Sequence, residues 1–252
     1  MELSTIELIN GLMSILFVSI SIILGTAFVS RYFKYKRRTI LLVGLTWMGL
    51  VSTWYPSSIA VLLILTTGNG ISDELYMFLS NGLIPITSVL WMIAFTDLFL
   101  ENKENQKLIL LIIGIYSTLF EIYYLYFLFT NPSMLGEVLS PVDASYGMIV
   151  TAYQISMVIL MIITGTLFGR KCLRSNSPEI KLKGKLLIIA FWSFFIGAIF
   201  EIISHISIII LIIGRLILIS SAIEFYSGFM LPNWIKKLFL KEKYIKGNSQ
   251  LS

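Results

Sequence analysis

The sequence predicts an all-α, polytopic membrane protein of seven transmembrane helices, with its amino terminus outside and its carboxyl terminus in the cytoplasm. Three observations predict it. Of the 252 residues, 57% are apolar and only 13% are charged, whereas soluble domains carry about 25% charged residues. The chain also divides into seven apolar runs, each long enough to cross a hydrocarbon core of about 30 Å. Finally, the cations sit on alternate connectors, which sets the orientation.

The elements follow in order. Apolar runs between polar breaks place spans near 9–30, 40–66, 75–99, 108–129, 146–169, 185–205 and 210–231. The last two are split by length, with a turn near Ser204 to Ile210. Arg31, Lys34, Lys36, Arg37 and Arg38 follow span 1, and Lys103 and Lys107 follow span 3. Arg170, Lys171, Arg174, Lys181, Lys183 and Lys185 follow span 5, and Lys236, Lys237, Lys241, Lys243 and Lys246 follow span 7. Every cation except Arg215 therefore falls on one side, which the positive-inside rule assigns to the cytoplasm of a cell membrane. The other connectors carry Glu2, Glu7, Asp73, Glu74, Glu137 and Asp143. The net charge of +5 thus encodes orientation, and nucleic acid is not an expected partner. The first 30 residues lack the basic stretch of a cleavable leader, so span 1 is expected to stay in the mature protein.

Two units are expected: a transmembrane domain over 1–232 and a basic amphipathic cytoplasmic tail over 233–252. Pro232 ends span 7, and Trp234, Ile235, Leu238 and Phe239 recur at helical spacing among lysines. That pattern predicts a short helix on the anionic inner leaflet. An internal repeat is a further expectation. Ile22–Phe28 resembles Ile162–Phe168; Leu41, Leu42 and Trp47 pair with Leu186, Leu187 and Trp192; Leu83–Ser88 parallels Leu216–Ser221. Spans 1–3 and 5–7 would then be parallel repeats joined by span 4.

An ionisable side chain at mid-membrane costs about 2.5 to 3.5 kcal/mol on the insertion scale, so each one needs a partner or a cavity. Glu121 lies roughly 21 Å along span 4 from its basic end. Glu201 and His205 share one face of span 6, and Arg215 enters span 7 from the outer side. These four form the candidate ligand-binding or buried polar cluster, with Tyr123, Tyr124, Tyr153 and Gln154 as a hydrogen-bonding wall. The competing reading is structural: an Arg215–Glu201 ion pair locking span 6 to span 7, with Glu121 satisfied by tyrosines. Asp97 and Glu224 lie nearer the basic ends.

No catalytic residue, metal site or cofactor is expected. Glu201 and His205 supply two ligands where a metal site generally takes three or four, and no nucleophile motif or phosphate loop is present. Cys172, the single cysteine, excludes an intramolecular disulfide.

Seven spans invite comparison with microbial rhodopsins, but span 7 contains no lysine for a Schiff base. The repeat is similar in arrangement to SWEET and PQ-loop carriers, whose Pro-Gln signature this chain lacks. The segment Phe225-Tyr226-Ser227-Gly228-Phe229-Met230-Leu231-Pro232-Asn233-Trp234-Ile235-Lys236-Lys237 resembles the exit of the seven-helix sensor region of prokaryotic membrane histidine kinases. The resemblance implies a membrane sensor module. The chain carries no phosphoacceptor or ATP-binding segment, so a separate cytoplasmic signalling protein, contacted through Trp234, Lys236 and Lys237, is the implied partner beside the lipid bilayer. Two alternatives stay open: a small-solute transporter built from two three-helix repeats, and a structural subunit of a membrane complex.

Overall fold

The computed structural model describes residues 3–204 and 207–240. Its first helix, α1 (Thr5–Tyr35), starts at a capping box in which Ser4 Oγ accepts from the Glu7 backbone N–H and Glu7 accepts from the Ser4 N–H at 2.8 Å. Such reciprocal caps satisfy amides that the helix itself leaves unpaired. The helix ends at Lys36, in the left-handed region at φ 54°.

Spans 2 and 3 are each broken in two. Span 2 comprises α2 (Arg38–Leu50), a 3-10 turn over Val51–Trp54, and α3 (Tyr55–Thr67). Span 3 comprises α4 (Asp73–Asn81) and α5 (Ile84–Phe99). Pro56 and Pro85 occupy the first turns of α3 and α5. Each lacks the N–H that would continue the ladder of the preceding helix, so the chain restarts there. Tyr55 Oη spans the first break by donating to the Met48 carbonyl at 2.8 Å.

Next come α6 (Lys103–Thr130), the hairpin strands β1 (Gly136–Ser140) and β2 (Asp143–Tyr146), and then α7 (Met148–Leu173), α8 (Pro178–Ile202), α9 (Ile208–Met230) and α10 (Asn233–Phe239). The turn between the last two spans falls between Ile202 and Ile208, slightly earlier than its predicted place. All seven membrane-length helices are thereby present: Thr5–Tyr35, Arg38–Thr67, Asp73–Phe99, Lys103–Thr130, Met148–Leu173, Pro178–Ile202 and Ile208–Met230.

The hairpin is an element the hydropathy pattern does not contain. Its strands pair antiparallel with Gly136 opposite Tyr146 and Val138 opposite Ala144. A two-stranded ribbon is marginal in water, so the bundle must hold it. Leu135 and Val142 are buried, and the Val142 carbonyl accepts from Ser57 Oγ at 2.8 Å and from Asn10 Nδ2 at 3.4 Å.

Aromatic rings fill the centre of the bundle. Trp47 stacks on Phe225 at 4.5 Å between centroids and meets Phe194 edge-on, while Phe191 joins Trp91 to Phe225. The buried Trp91 indole donates to Thr164 Oγ1 at 2.8 Å, tying α5 to α7. Glycines let α7 and α8 approach closely, since a Cβ on Gly184 would stand 2.6 Å from the Gly169 carbonyl oxygen. Small residues serve this purpose between membrane helices generally. Trp47 is buried and Trp192 is exposed, so these two paired positions of the suggested repeat occupy different surroundings.

At the basic end, Arg38 pairs with Asp97 at 2.7 Å, joining span 2 to span 3. Helix α10 docks on α8: Ile235 packs with Leu182, Leu186 and Leu231, and Lys236 pairs with Glu179 at 2.9 Å. Of the predicted apolar face of this helix, Ile235 turns inward, while Trp234, Leu238 and Phe239 remain exposed. The later tail lysines, Lys241, Lys243 and Lys246, lie outside the described residues.

Candidate functional site

The polar centre opposite the basic end is built around Arg215. It sits two turns into α9, and its neighbours on the same face, Leu211 and Leu218, are buried. Periodicity alone therefore turns its side chain inward. The guanidinium is 1% exposed. Its Nη2 donates to Glu201 Oε1 of α8 at 2.8 Å and to Asn10 Oδ1 of α1 at 2.7 Å. Its Nε and Nη1 make no hydrogen bond with the described residues. Trp54 lies beneath it, with the ring centroid 5.7 Å from Cζ, a geometry in which the ring face attracts the cation.

Asn10 links this cation to the hairpin. Its carbonyl accepts from Arg215 while its amide donates to the Val142 carbonyl. Ser57 donates to the same carbonyl and shares a hydrogen bond of 3.0 Å with Tyr76 Oη. Tyr76, together with Gly70, Ile71, Asp73 and residues of the hairpin, lines a cleft of about 200 Å³. A polar track therefore runs from this cleft through Tyr76, Ser57, the Val142 carbonyl and Asn10 to Arg215.

The predicted cluster is thus reassembled. Glu201 and Arg215 meet, as the ion-pair reading expects. Glu121 does not join them. It lies on α6, whose neighbours are α4, α5 and α7, whereas Arg215 contacts α1, α8 and Trp54. Nor do tyrosines satisfy Glu121: its Oε2 is buried and makes no hydrogen bond with the described residues. His205 lies outside the described residues.

Tyr124, Tyr153 and Gln154 do not wall the Arg215 site either, because they form a second polar group. Tyr124 Oη donates to the Met77 carbonyl at 2.6 Å, Tyr153 to Ser117 at 3.1 Å, and Gln154 Nε2 to Asn81 Oδ1 at 2.7 Å. Phe120 stacks on Tyr153 at 3.7 Å. Tyr123 is only half-buried and packs on Phe127. Glu224, towards the basic end, accepts from Ser220 at 2.7 Å.

Asn10, Ser57 and Tyr76 are the members that sequence reasoning missed. Asn10 alone left a signal: it is an amide near the start of an apolar run, and such an amide needs a partner in the bundle. Chemically, the site offers a fixed, desolvated cation whose carboxylate partner is 30% exposed. That suits it to holding an acceptor group or changing partners. Among the described residues, no three side chains of metal-binding type gather.

Seven membrane-length apolar helices among the described residues make the chain an integral, multi-pass membrane protein. No protein-family model matches the chain, and no curated protein does so either.

Proposed function

We propose that the chain is a receptor-like membrane sensor, oriented with the hairpin end outside and the basic end in the cytoplasm. A small polar ligand enters the cleft beside the hairpin and displaces the Val142 turn. The Asn10–Arg215–Glu201 contacts then rearrange, and α9 carries the change to the basic α10 segment, where a cytoplasmic partner reads it.

The observation that carries this reading is the division of the molecule along its length. The polar track ends on Arg215 and Trp54, and below them Phe194, Trp47 and Phe225 close the middle of the bundle through edge-on and stacked ring contacts. A solute carrier needs a polar passage between its halves at this depth, and here buried aromatic rings occupy that place. A sensor needs no passage. It needs a site at one end, a stiff helix and an output at the other, and α9 runs unbroken from Arg215 to the docked α10.

Cross-linking in native membranes tests the proposal with three forms: the intact chain, a form ending at Asn233, and Asn10→Ala. A protein joined to the intact chain, lost on truncation and altered in yield by Asn10→Ala is the expected result. Cross-links indifferent to both changes, together with Arg215-dependent solute flux in proteoliposomes, would overturn the sensor reading in favour of a carrier.

A further inference from the structure

At the basic end, the last turn of α1 and the junction of α9 with α10 enclose a cleft of about 410 Å³, lined by Arg31, Lys34, Tyr35, Asn233, Lys236 and residues 230–232. Arg31 and Lys34 stand three residues apart on α1 and so share a face. Lys183 is within electrostatic reach of Arg31, Lys236 and Glu179. Cations at the carboxyl ends of helices often serve as caps, yet that work is done elsewhere. Lys183 donates to the Phe229 carbonyl at 3.0 Å, and Lys171 donates to that of Phe99 at 3.0 Å. Lys236 is held by Glu179. Among the described residues Arg31 has only the Met230 sulfur at 3.4 Å, a weak acceptor, and neither Arg31 nor Lys34 pairs with a carboxylate there.

We propose that this cleft binds a phosphate group, presented by the headgroup of an anionic phospholipid. The Arg31 fork takes two phosphate oxygens, Lys34, whose ammonium lies 5.5 Å from the Tyr35 ring centroid, adds a second cation, and Tyr35 and Asn233, which also line the cleft, can supply neutral donors. The surroundings favour a lipid source. The cleft opens where the spans end, and exposed Phe33, Tyr35 and Trp234 flank it, as aromatic residues do at the boundary between acyl chains and headgroups. Basic pockets between helix ends are sites of this kind. A bound headgroup would bridge α1 to α10 and hold the amphipathic segment against the bundle. The site does not depend on what the hairpin end senses.

The test uses the full chain in nanodiscs of phosphatidylcholine containing graded phosphatidylglycerol, with retained lipid read by native mass spectrometry. Arg31→Gln and Lys34→Gln are compared with Lys107→Gln, which lies at the same end outside the cleft and pairs with Glu104. The wild type and Lys107→Gln should retain phosphatidylglycerol over phosphatidylcholine, and each cleft variant should need about five-fold more of it. Should Arg31→Gln fail to fold, the exposed Lys34 carries the comparison alone. Inorganic phosphate is added as a competitor. No displacement assigns the site to lipid, whereas displacement at equal concentration upholds a phosphate site but assigns it to free phosphate. Equal phosphatidylglycerol retention by the wild type and the monodisperse cleft variants would overturn the proposal.

Discussion

Arg215 and Glu201 face each other at 2.8 Å across the α8–α9 interface, but the arginine is 1% exposed and the glutamate 30%. One partner is held entirely by the protein and the other keeps part of its hydration. The pair is therefore asymmetric: losing the glutamate strands a desolvated cation, while losing the arginine leaves a carboxylate that water still reaches.

That asymmetry orders the substitutions. Glu201→Leu should destabilise more than Arg215→Met, since breaking a buried pair costs about 3 to 5 kcal/mol when a charge is left behind. Thermal unfolding in detergent of both singles and of the double variant checks this. The double variant should be more stable than Glu201→Leu alone, and an additive result would refute coupling.

The hairpin depends on two side chains from the bundle. Asn10→Ala and Ser57→Ala each remove a donor to the Val142 carbonyl, at about 1 kcal/mol apiece. Together they should raise hydrogen exchange over residues 136–146 while the amides of α8 stay protected. Unchanged exchange in the hairpin would mean that its own pairing suffices.

Helix approach gives a paired prediction. At Gly184 a Cβ would stand 2.6 Å from the Gly169 carbonyl oxygen, whereas at Gly114 it would meet nothing within 4 Å. Gly184→Ala should lower stability by about 1 to 3 kcal/mol through overpacking. Gly114→Ala should be neutral or slightly stabilising, as alanine restricts the unfolded chain more than glycine does. Melting temperatures of the two variants decide the matter.

Tyr146, the last residue of hairpin strand β2, gives a pH prediction. Burial pushes its phenol from the ordinary 10.0 up to about 12, the Asp143 carboxylate adds to the shift, and Ser80 and Asn81 offset part of it. The fold accommodates the neutral phenol. Its stabilising contribution should be intact below pH 10 and be lost as pH rises through about 12. The difference in tyrosinate absorbance between the wild type and Tyr146→Phe measures this. An ordinary titration near 10 would place the ring in solvent.

Much of this molecule is local chemistry, and local chemistry is legible in the sequence. Apolar length determines the seven spans. The grouping of cations determines which connectors share an end, and Pro232 marks the end of α9. The inward orientation of Arg215 and its pairing with Glu201 were legible too, because an unpaired ion between apolar helices is too costly to leave. Other features depended on which helices become neighbours, and packing decides that. Glu121 is expected at a similar depth but sits on α6, which packs against α4 and α5, whereas Arg215 meets α1 and α8. Asn10 signals in the sequence only that it needs a partner, and Ser57 signals nothing, until the fold brings the Val142 carbonyl between them. The hairpin escaped notice because strands of four and five residues carry too little alternation to be read, and only burial against the bundle makes them stable. The sequence by itself determined what must be buried and where the charges go; the tertiary structure alone decided which polar groups meet, because a hydrogen bond needs a particular neighbour and hydropathy needs none.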